Sequence, residues 1–308
     1  TPEFASVRQF HERLTRGLRT VNSFTNRYRH ADGGWRWLEW AVFPDAAHDL
    51  IYGTVRDVTE RRRTTEIESL HRDALEHLAR RAPLTEILTD LVRSAEILVP
   101  DAVGSILLVR DGHLHGGAAP NLPAPFMKAL EGQPIGPTAG TCGSAAWRDA
   151  VVLTTDIQHD PLWTDWRDLA AEHGLVACWS MPFHTADGAV AGTVAIYPDS
   201  TRAPTSAQLT TMETIARLAS VAVEHRRVDE ELRLLQAAIE NLNDMVMITE
   251  AGPIDEPGPR IRFVNRAFER VTGWHRSDVI GRSPRFLQGD VTDPATLERV
   301  RTALAQWH

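Results

Sequence analysis

Apolar and polar positions alternate across residues 24–57. Phe24, Asn26 and Tyr28 fall on one side of a strand, with Thr25 and Arg27 on the other. Trp35, Trp37 and Glu39 share one face of the next strand, and Arg36, Leu38 and Trp40 the opposite face. That period of two predicts antiparallel sheet. Asp32-Gly33-Gly34 supplies a hairpin turn whose glycines tolerate positive φ, Pro44-Asp45 marks a second turn, and Leu50–Val55 makes a third strand. The period then changes. Ile67 is followed by Leu70, Ala74, Leu75 and Leu78 at offsets of 3, 7, 8 and 11, with no Gly or Pro before Pro83. These positions draw one helical stripe, too short to define a coiled coil by itself.

A second module opens at Pro83. Leu84, Ile87, Leu88, Leu91, Ala95 and Leu98 form the apolar face of a helix closed by Pro100, and Val103–Val109 reads as a fully apolar strand turned by Asp111-Gly112 into His113-Leu114-His115. Loops rich in Gly and Pro run to Gly140. Gly143–Arg148 reads as a short helix, Val151–Thr154 as a strand and Trp163–His173 as a helix stopped by Gly174. Leu175–Phe183, the turn Asp187-Gly188 and Val190–Tyr197 form a closing hairpin.

From Ser206 to Leu242 the pattern is helical. Leu209, Met212, Ile215, Ala219 and Ala222 make one stripe, while Leu232, Leu235, Ile239 and Leu242 step by 3, 4 and 3, as heptad a and d positions do. The polar run Glu224–Glu231 between them marks a module boundary. Met245–Thr249 and Ile261–Val264 read as strands flanking a proline-rich loop at Pro253–Pro259. Asn265–Thr272 reads as a helix ended by Gly273, and Asp293–Ala305 as a last helix with Pro294 in its first turn.

Composition narrows the class. The 308 residues, 43% hydrophobic and 24% charged, are globular in character and exclude wholesale disorder, collagen or a disulfide scaffold. A net charge of −8 argues against a nucleic-acid partner. No stretch approaches the roughly 18 consecutive apolar residues of a membrane span. Two cysteines in a chain of this size suit a reducing, cytoplasmic compartment. Thr1-Pro2-Glu3 has no initiator Met, basic region or apolar region, so no signal peptide is read, and a piece of a longer chain is expected.

Three stretches resemble sensory modules. NRYRHADGGWRWLEWAVFPDAAHDLIYGTVRDVTERRR, residues 26–63, resembles the C-terminal half of a PAS domain, through its DG turn before RW and its DVTERR exit into a signalling helix; Phe4–Leu18 is then the preceding helix. Residues 84–223 resemble a GAF domain by order of elements, with GTCGSAAW, ACWSMPF and GTVAIY in sequence. Residues 235–308 resemble the N-terminal half of a PAS domain through IRFVNRAFERVTGW and VIGRSPRFLQG. GRSPRFLQG is also similar to the GRNCRFLQG flavin motif of LOV photoreceptors. Ser283 stands where those proteins have Asn, and Pro284 where they have the photoreactive Cys, so a cysteinyl-flavin adduct cannot form there. The resemblance implies a PAS pocket that includes Arg285 and Gln288, which match flavin-contacting positions. Both PAS halves are incomplete, and a complementation of residues 235–308 with 1–60 follows as one expectation.

Candidate chemistry is sparse. Cys142 and Cys178 read either as small buried apolar residues or as a redox or metal-binding pair beside the GAF pocket. A GAF-related methionine sulfoxide reductase has a CGTA segment similar to that at Cys142, but the segment carrying its reactive Cys has no counterpart. Bilin attachment requires Cys followed by His, which Cys142-Gly143 and Cys178-Trp179 lack. Trp147, Trp163, Trp166 and Trp179 read as core or as walls for a planar ligand, and His159 sits in a loop able to close the pocket. His113 and His115 share a strand face but have no ligand-spaced partner except Asp111, so no metal site is predicted. Phosphate-loop, HExxH, G-x-S-x-G and paired CxxC signatures do not occur. Lys128, the only lysine, and the lack of an NKFDE-like signature disfavour cyclic-nucleotide binding.

These readings predict an α+β chain. A GAF domain with a central antiparallel sheet (residues 83–225) is flanked by partial PAS folds (1–60 and 244–308), joined by signalling helices (61–82 and 226–243). The expected function is sensory input, small-molecule or redox, relayed to an output domain outside the chain. Cyclic-di-GMP enzymes of the GGDEF/EAL class are favoured for that output, with histidine kinases next. A homodimer through Leu232, Leu235, Ile239 and Leu242 is expected. No catalytic residue is assigned, and the cofactor is open, with haem and flavin unsupported. The alternatives are a GAF-type redox enzyme using Cys142 and a ligand-free dimerisation scaffold.

Overall fold

The computed structural model describes residues 22–31, 35–45, 48, 50–251 and 258–305. The helix expected over Phe4–Leu18, the turn at 32–34 and most of the 253–259 loop lie outside them. The chain divides into two compact units at His225/Arg226.

In the first unit β1 (Asn22–Arg29), β2 (Trp35–Asp45) and β3 (Leu50–Asp57) form an antiparallel sheet in that order. The predicted faces hold. Phe24 lies opposite Trp40 and stacks on it at 6.1 Å, while Arg27 sits 5.6 Å from the rings of both Trp35 and Trp37 on the other face. α1 (Thr59–Ala79) leaves the sheet under control of Trp37. The Trp37 N–H donates to Thr59 Oγ1 at 2.8 Å, the Val58 N–H donates to the Trp37 carbonyl at 2.9 Å, and Arg62 covers the indole at 4.3 Å. Leu70 and Ala74 are buried, but Leu75 is 63% exposed. The buried seam steps by three or four along one line, and Leu75 falls about 100° past Ala74, outside it.

The rest of this unit is built on α2 (Leu84–Leu98), β4 (Ala102–Arg110), β5 (His113–Ala118), α3 (Ala124–Leu130), β6 (Gln133–Pro134), α4 (Gly140–Arg148), β7 (Val152–Thr154), α5 (Arg167–Glu172), β8 (Cys178–His184), β9 (Val190–Pro198) and the part of α6 (Ser206–Glu240) up to His225. The six strands form one antiparallel sheet in the order β6-β5-β4-β9-β8-β7. One face carries Ile106, Trp179, Phe183, Val194 and Ile196 and is covered by α2 and by Met212, Ile215, Ala219 and Ala222 of α6. Leu107, Cys178, Ala195 and Tyr197 line the opposite face, under Phe126, Cys142, Ile157 and Trp163. The helix expected over Trp163–His173 is instead a 3-10 turn at Pro161–Trp163 followed by the shorter α5. Asp160 caps that turn through the Leu162 N–H at 2.9 Å, and the bend lets Trp163 enter the core.

The second unit pairs β10 (Met247–Thr249) with β11 (Ile261–Val264), then adds α7 (Arg266–Thr272), α8 (Arg276–Val279), a 3-10 turn at Pro284–Leu287 and α9 (Pro294–Ala305). Its small core is Ile261, Val264, Phe268 and Val279 with Phe286 against them. Asn265 caps α7, and Gly273 ends it at φ 75°, as the pattern predicts. The fold is α+β, with a curled antiparallel sheet flanked by partial sheet-and-helix regions that resemble PAS folds. Among the described residues no helix is long and apolar enough to cross a membrane.

Candidate functional site

The sheet face beneath α4 holds an unusual concentration of polar atoms. Because Cβ atoms alternate along a strand, Cys178 and Ser180 of β8, Thr193 and Tyr197 of β9, and Ser105 of β4 all project to this side, with Ser105 and Ser180 both registered on Ala195. The hydroxyls of Ser105, Ser180 and Thr193 have no hydrogen-bond partner, and these three residues are at most 1% exposed. An unpaired buried hydroxyl costs about 1–3 kcal/mol, so three on one face are a marked departure from ordinary core.

α4 brings the cover. It is built of small residues, buried from Gly140 through Ala146, and starts from Gly140 at φ 62°. Thr141 donates to Thr154 Oγ1 at 2.8 Å and accepts from Trp163 Nε1 at 2.7 Å. Thr154 is the register partner of Cys178, so this tie sets Cys142 beside Cys178. The Cys142 Sγ lies 3.6 Å from the Tyr197 Oη. Phe126 closes the side, stacked on Trp163 at 6.4 Å and edge-on to Tyr197 at 6.1 Å.

Protons are distributed unevenly here. The adjoining Cys178, and after it the Tyr197, Ser180 and Thr193 hydroxyls that face the sulfur, outweigh burial and bring the Cys142 thiol down from its ordinary 9.0 to about 7. Burial, and then the neighbouring Cys142, push Cys178 up. Tyr197 is likewise raised by burial and by the cysteines' charge, with Ser105 opposing. The pair therefore gives up its first proton from Cys142.

Of the residues singled out in the sequence, Cys142, Cys178 and Trp163 meet in this cluster, with Trp166 half-buried against it. Trp147 is 55% exposed on the outer side of α4. His159 is solvent-facing, its Nδ1 2.8 Å from Asp156. Trp179 is buried on the other face of the sheet. His113 and His115 have separate partners, the Asp111 carbonyl and Glu131, each at 2.7 Å. No group of three or more metal-ligating side chains occurs among the described residues. Tyr197, Ser105, Ser180 and Thr193 were not predicted. Their one signal is isolated polar residues on one face of otherwise apolar strands, and the strand read as fully apolar contains Ser105.

In the second unit Arg285 is half-buried and Gln288 exposed, at the start and just past the end of the 3-10 turn. On α6, Leu232 and Leu235 are exposed, as is Leu242 just beyond it, while Ile239 is half-buried.

Comparison with known proteins fits this division. The GAF domain model matches residues 81–224, and the PAS domain model matches residues 233–304. The chain is thus similar to a GAF domain over its middle part and to a PAS domain after it. Only one PAS domain is identified by these matches, rather than two. Over 204 residues the chain is 32% identical to the methyl sulfide methyltransferase-associated sensor of Methanosarcina acetivorans, covering 64% of this chain and 20% of that protein. Over 57 residues it is 49% identical to blue-light-activated histidine kinase 2 of Erythrobacter litoralis, covering 18% of this chain and 16% of that protein. The chain thus spans about a fifth of the length of these relatives. The GAF domain of a phosphoenolpyruvate-protein phosphotransferase from Coxiella burnetii aligns with a TM-score of 0.45 at 16% identity, covering 54% of this chain and 98% of that one.

Proposed function

We propose that the chain is the cytoplasmic sensory input region of a multidomain signalling protein, in which the GAF domain detects a small molecule or redox change and α6 relays it. The carrying observation is α6 itself, one helix of 35 residues. Its first half packs on the GAF sheet through Met212, Ile215 and Ala219, and the leucines of its second half are exposed. β8 links the thiol cluster to this helix, because it begins at Cys178 and ends at His184, whose carbonyl accepts from Ser220 Oγ. A helix anchored at one end transmits a signal when it has two packings of similar energy. The residues preceding 61 are read as the end of a further PAS domain, from their three-stranded sheet and the helix that follows it.

The relatives change the favoured output. One is named a sensor and another a histidine kinase, so a histidine kinase outside this chain replaces cyclic-di-GMP turnover as the partner we propose. Homodimerisation through Leu232, Leu235, Ile239 and Leu242 is part of the same reading, and the mass of the chain in solution tests it. A dimer that Leu235→Asp dissociates is expected; a monomer unaffected by that change counts against the relay. Pro284 in place of the photoreactive Cys argues against light sensing through a flavin adduct.

A further inference from the structure

The Cys142 cluster contains more hydrogen-bonding capacity than the chain uses. Three hydroxyls without partners, from Ser105, Ser180 and Thr193, sit with two free thiols and the Tyr197 hydroxyl in a setting otherwise walled by Leu107, Phe126 and Trp163. Among the described residues none of the buried polar side chains is charged, so an ionic ligand would be buried without a counter-charge, at high cost. A very small neutral molecule that both donates and accepts hydrogen bonds suits the set. The geometry points to a peroxide site: we propose that Cys142 is oxidised by hydrogen peroxide or a small hydroperoxide, and that Cys178 resolves the product to an intramolecular disulfide.

The two sulfurs have distinct roles because their surroundings differ. Both thiols are buried, but Cys142 lies on the covering helix α4 and Cys178 within the sheet beneath it, so displacement of the cover uncovers Cys142 first. The donors around Cys142 favour its thiolate, the nucleophilic form. In the first step the Cys142 sulfur attacks one peroxide oxygen, the O–O bond breaks, and the departing hydroxide takes a proton and leaves as water. The sulfenic acid on Cys142 now carries an oxygen that the unpaired hydroxyls can bond. In the second step the Cys178 sulfur loses its proton and attacks the Cys142 sulfur; the S–O bond breaks and the oxygen leaves as a second water. Two thiols are oxidised to one disulfide, and one peroxide is reduced to two waters. This chemistry rests on the sensory reading only for its consequence, a shift of β8 against α6.

The test uses the whole 308-residue chain, reduced and then exposed to hydrogen peroxide while folded. Mass spectrometry after alkylation counts free thiols and maps cross-linked peptides. The expected result is joint loss of both thiols and a Cys142–Cys178 cross-link. In Cys178→Ala, dimedone should label Cys142 as the trapped sulfenic acid, and in Cys142→Ser the remaining thiol should stay free. Ser180→Ala with Thr193→Val, checked for folding by near-UV circular dichroism, should slow oxidation by about tenfold through loss of two donors. Thiols that survive in the folded wild-type chain under conditions that oxidise the urea-unfolded chain overturn the proposal, as does a dimedone label on Cys178 alone. Dimer dissociation by Leu235→Asp is measured separately, so the peroxide chemistry and the relay fail independently.

Discussion

The Asn265 side-chain amide donates to the Ile239 carbonyl at 3.1 Å, tying the last turn of α6 to the start of α7. The same side chain donates to the Asp244 carbonyl at 2.9 Å and accepts from the Val246 and Phe268 N–H groups at 3.0 and 3.1 Å. A residue 1% exposed thus satisfies four backbone groups. Arg276 supports the junction by pairing with Glu240 at 3.0 Å, while the other Glu240 oxygen accepts from the Arg266 N–H.

Asn265→Ala takes the side-chain partner from the Val246 N–H and the Asp244 carbonyl and removes the α7 cap, while the Phe268 N–H and the Ile239 carbonyl keep backbone bonds to the Asn265 carbonyl and the Leu242 N–H. A loss of about 2–3 kcal/mol in the second unit is expected. Hydrogen exchange resolves this locally, with the Val246 amide losing protection while the Ile106 and Val194 amides keep theirs. Unchanged exchange at Val246 contradicts the assigned role of the side chain.

Leu235→Asp addresses the exposed half of α6. Leu232 and Leu235 are 58% and 56% exposed, and burying a leucine is worth about 1.5–3 kcal/mol. An aspartate in a heptad seam removes that gain and adds charge repulsion across the pair. Sedimentation at about 50 μM, where a complex of about −8 kcal/mol would be mostly associated, should show a dimer for the natural chain and a monomer for the variant.

Much of the framework was legible in the sequence because burial there is periodic. The α2 face, the α6 stripe ending at Ala222, the Asp111-Gly112 turn and the Asn265-to-Gly273 helix all follow from local rules. The candidate site was legible only in part. Cys142 and Trp163 stood out by type, but Ser105, Ser180 and Thr193 acquire meaning only through registry across β4, β8 and β9, which no local window contains. Trp147 and Trp163 are both tryptophans near the same helix, yet only Trp163 turns inward, held by its bond to Thr141. Leu75 misleads because an offset of 8 fits a wide helical stripe, whereas the seam α1 uses is narrow.

The thiol pair predicts a pH dependence with a defined sign. Cys142 is depressed from 9.0 to about 7, so its contribution to stability is fully present above the unfolded value and is lost as pH falls through 7. The chain should therefore be more stable at pH 9 than at pH 6 through this group, and Cys142→Ser should reduce the difference. Alkylation of folded protein should show a titration midpoint near 7. Cys178→Ala removes the neighbour that lowers it most and should move the midpoint up. A midpoint unmoved by that substitution rules out the proposed coupling.

Trp163→Phe tests the cover of the same site. Phenylalanine keeps most of the ring contact with Phe126 but cannot donate to Thr141 Oγ1, the bond that ties the 3-10 turn to α4 at 2.7 Å. Thr141 retains its bond to Thr154, so α4 should remain in place while the turn above it loosens. A stability loss of about 1–2 kcal/mol is expected, one buried hydrogen bond with little lost area. Native-state alkylation of Cys142 should become faster, because the reagent reaches the sulfur by displacing that cover. If stability falls as expected but the alkylation rate does not change, then access to Cys142 does not run past Trp163.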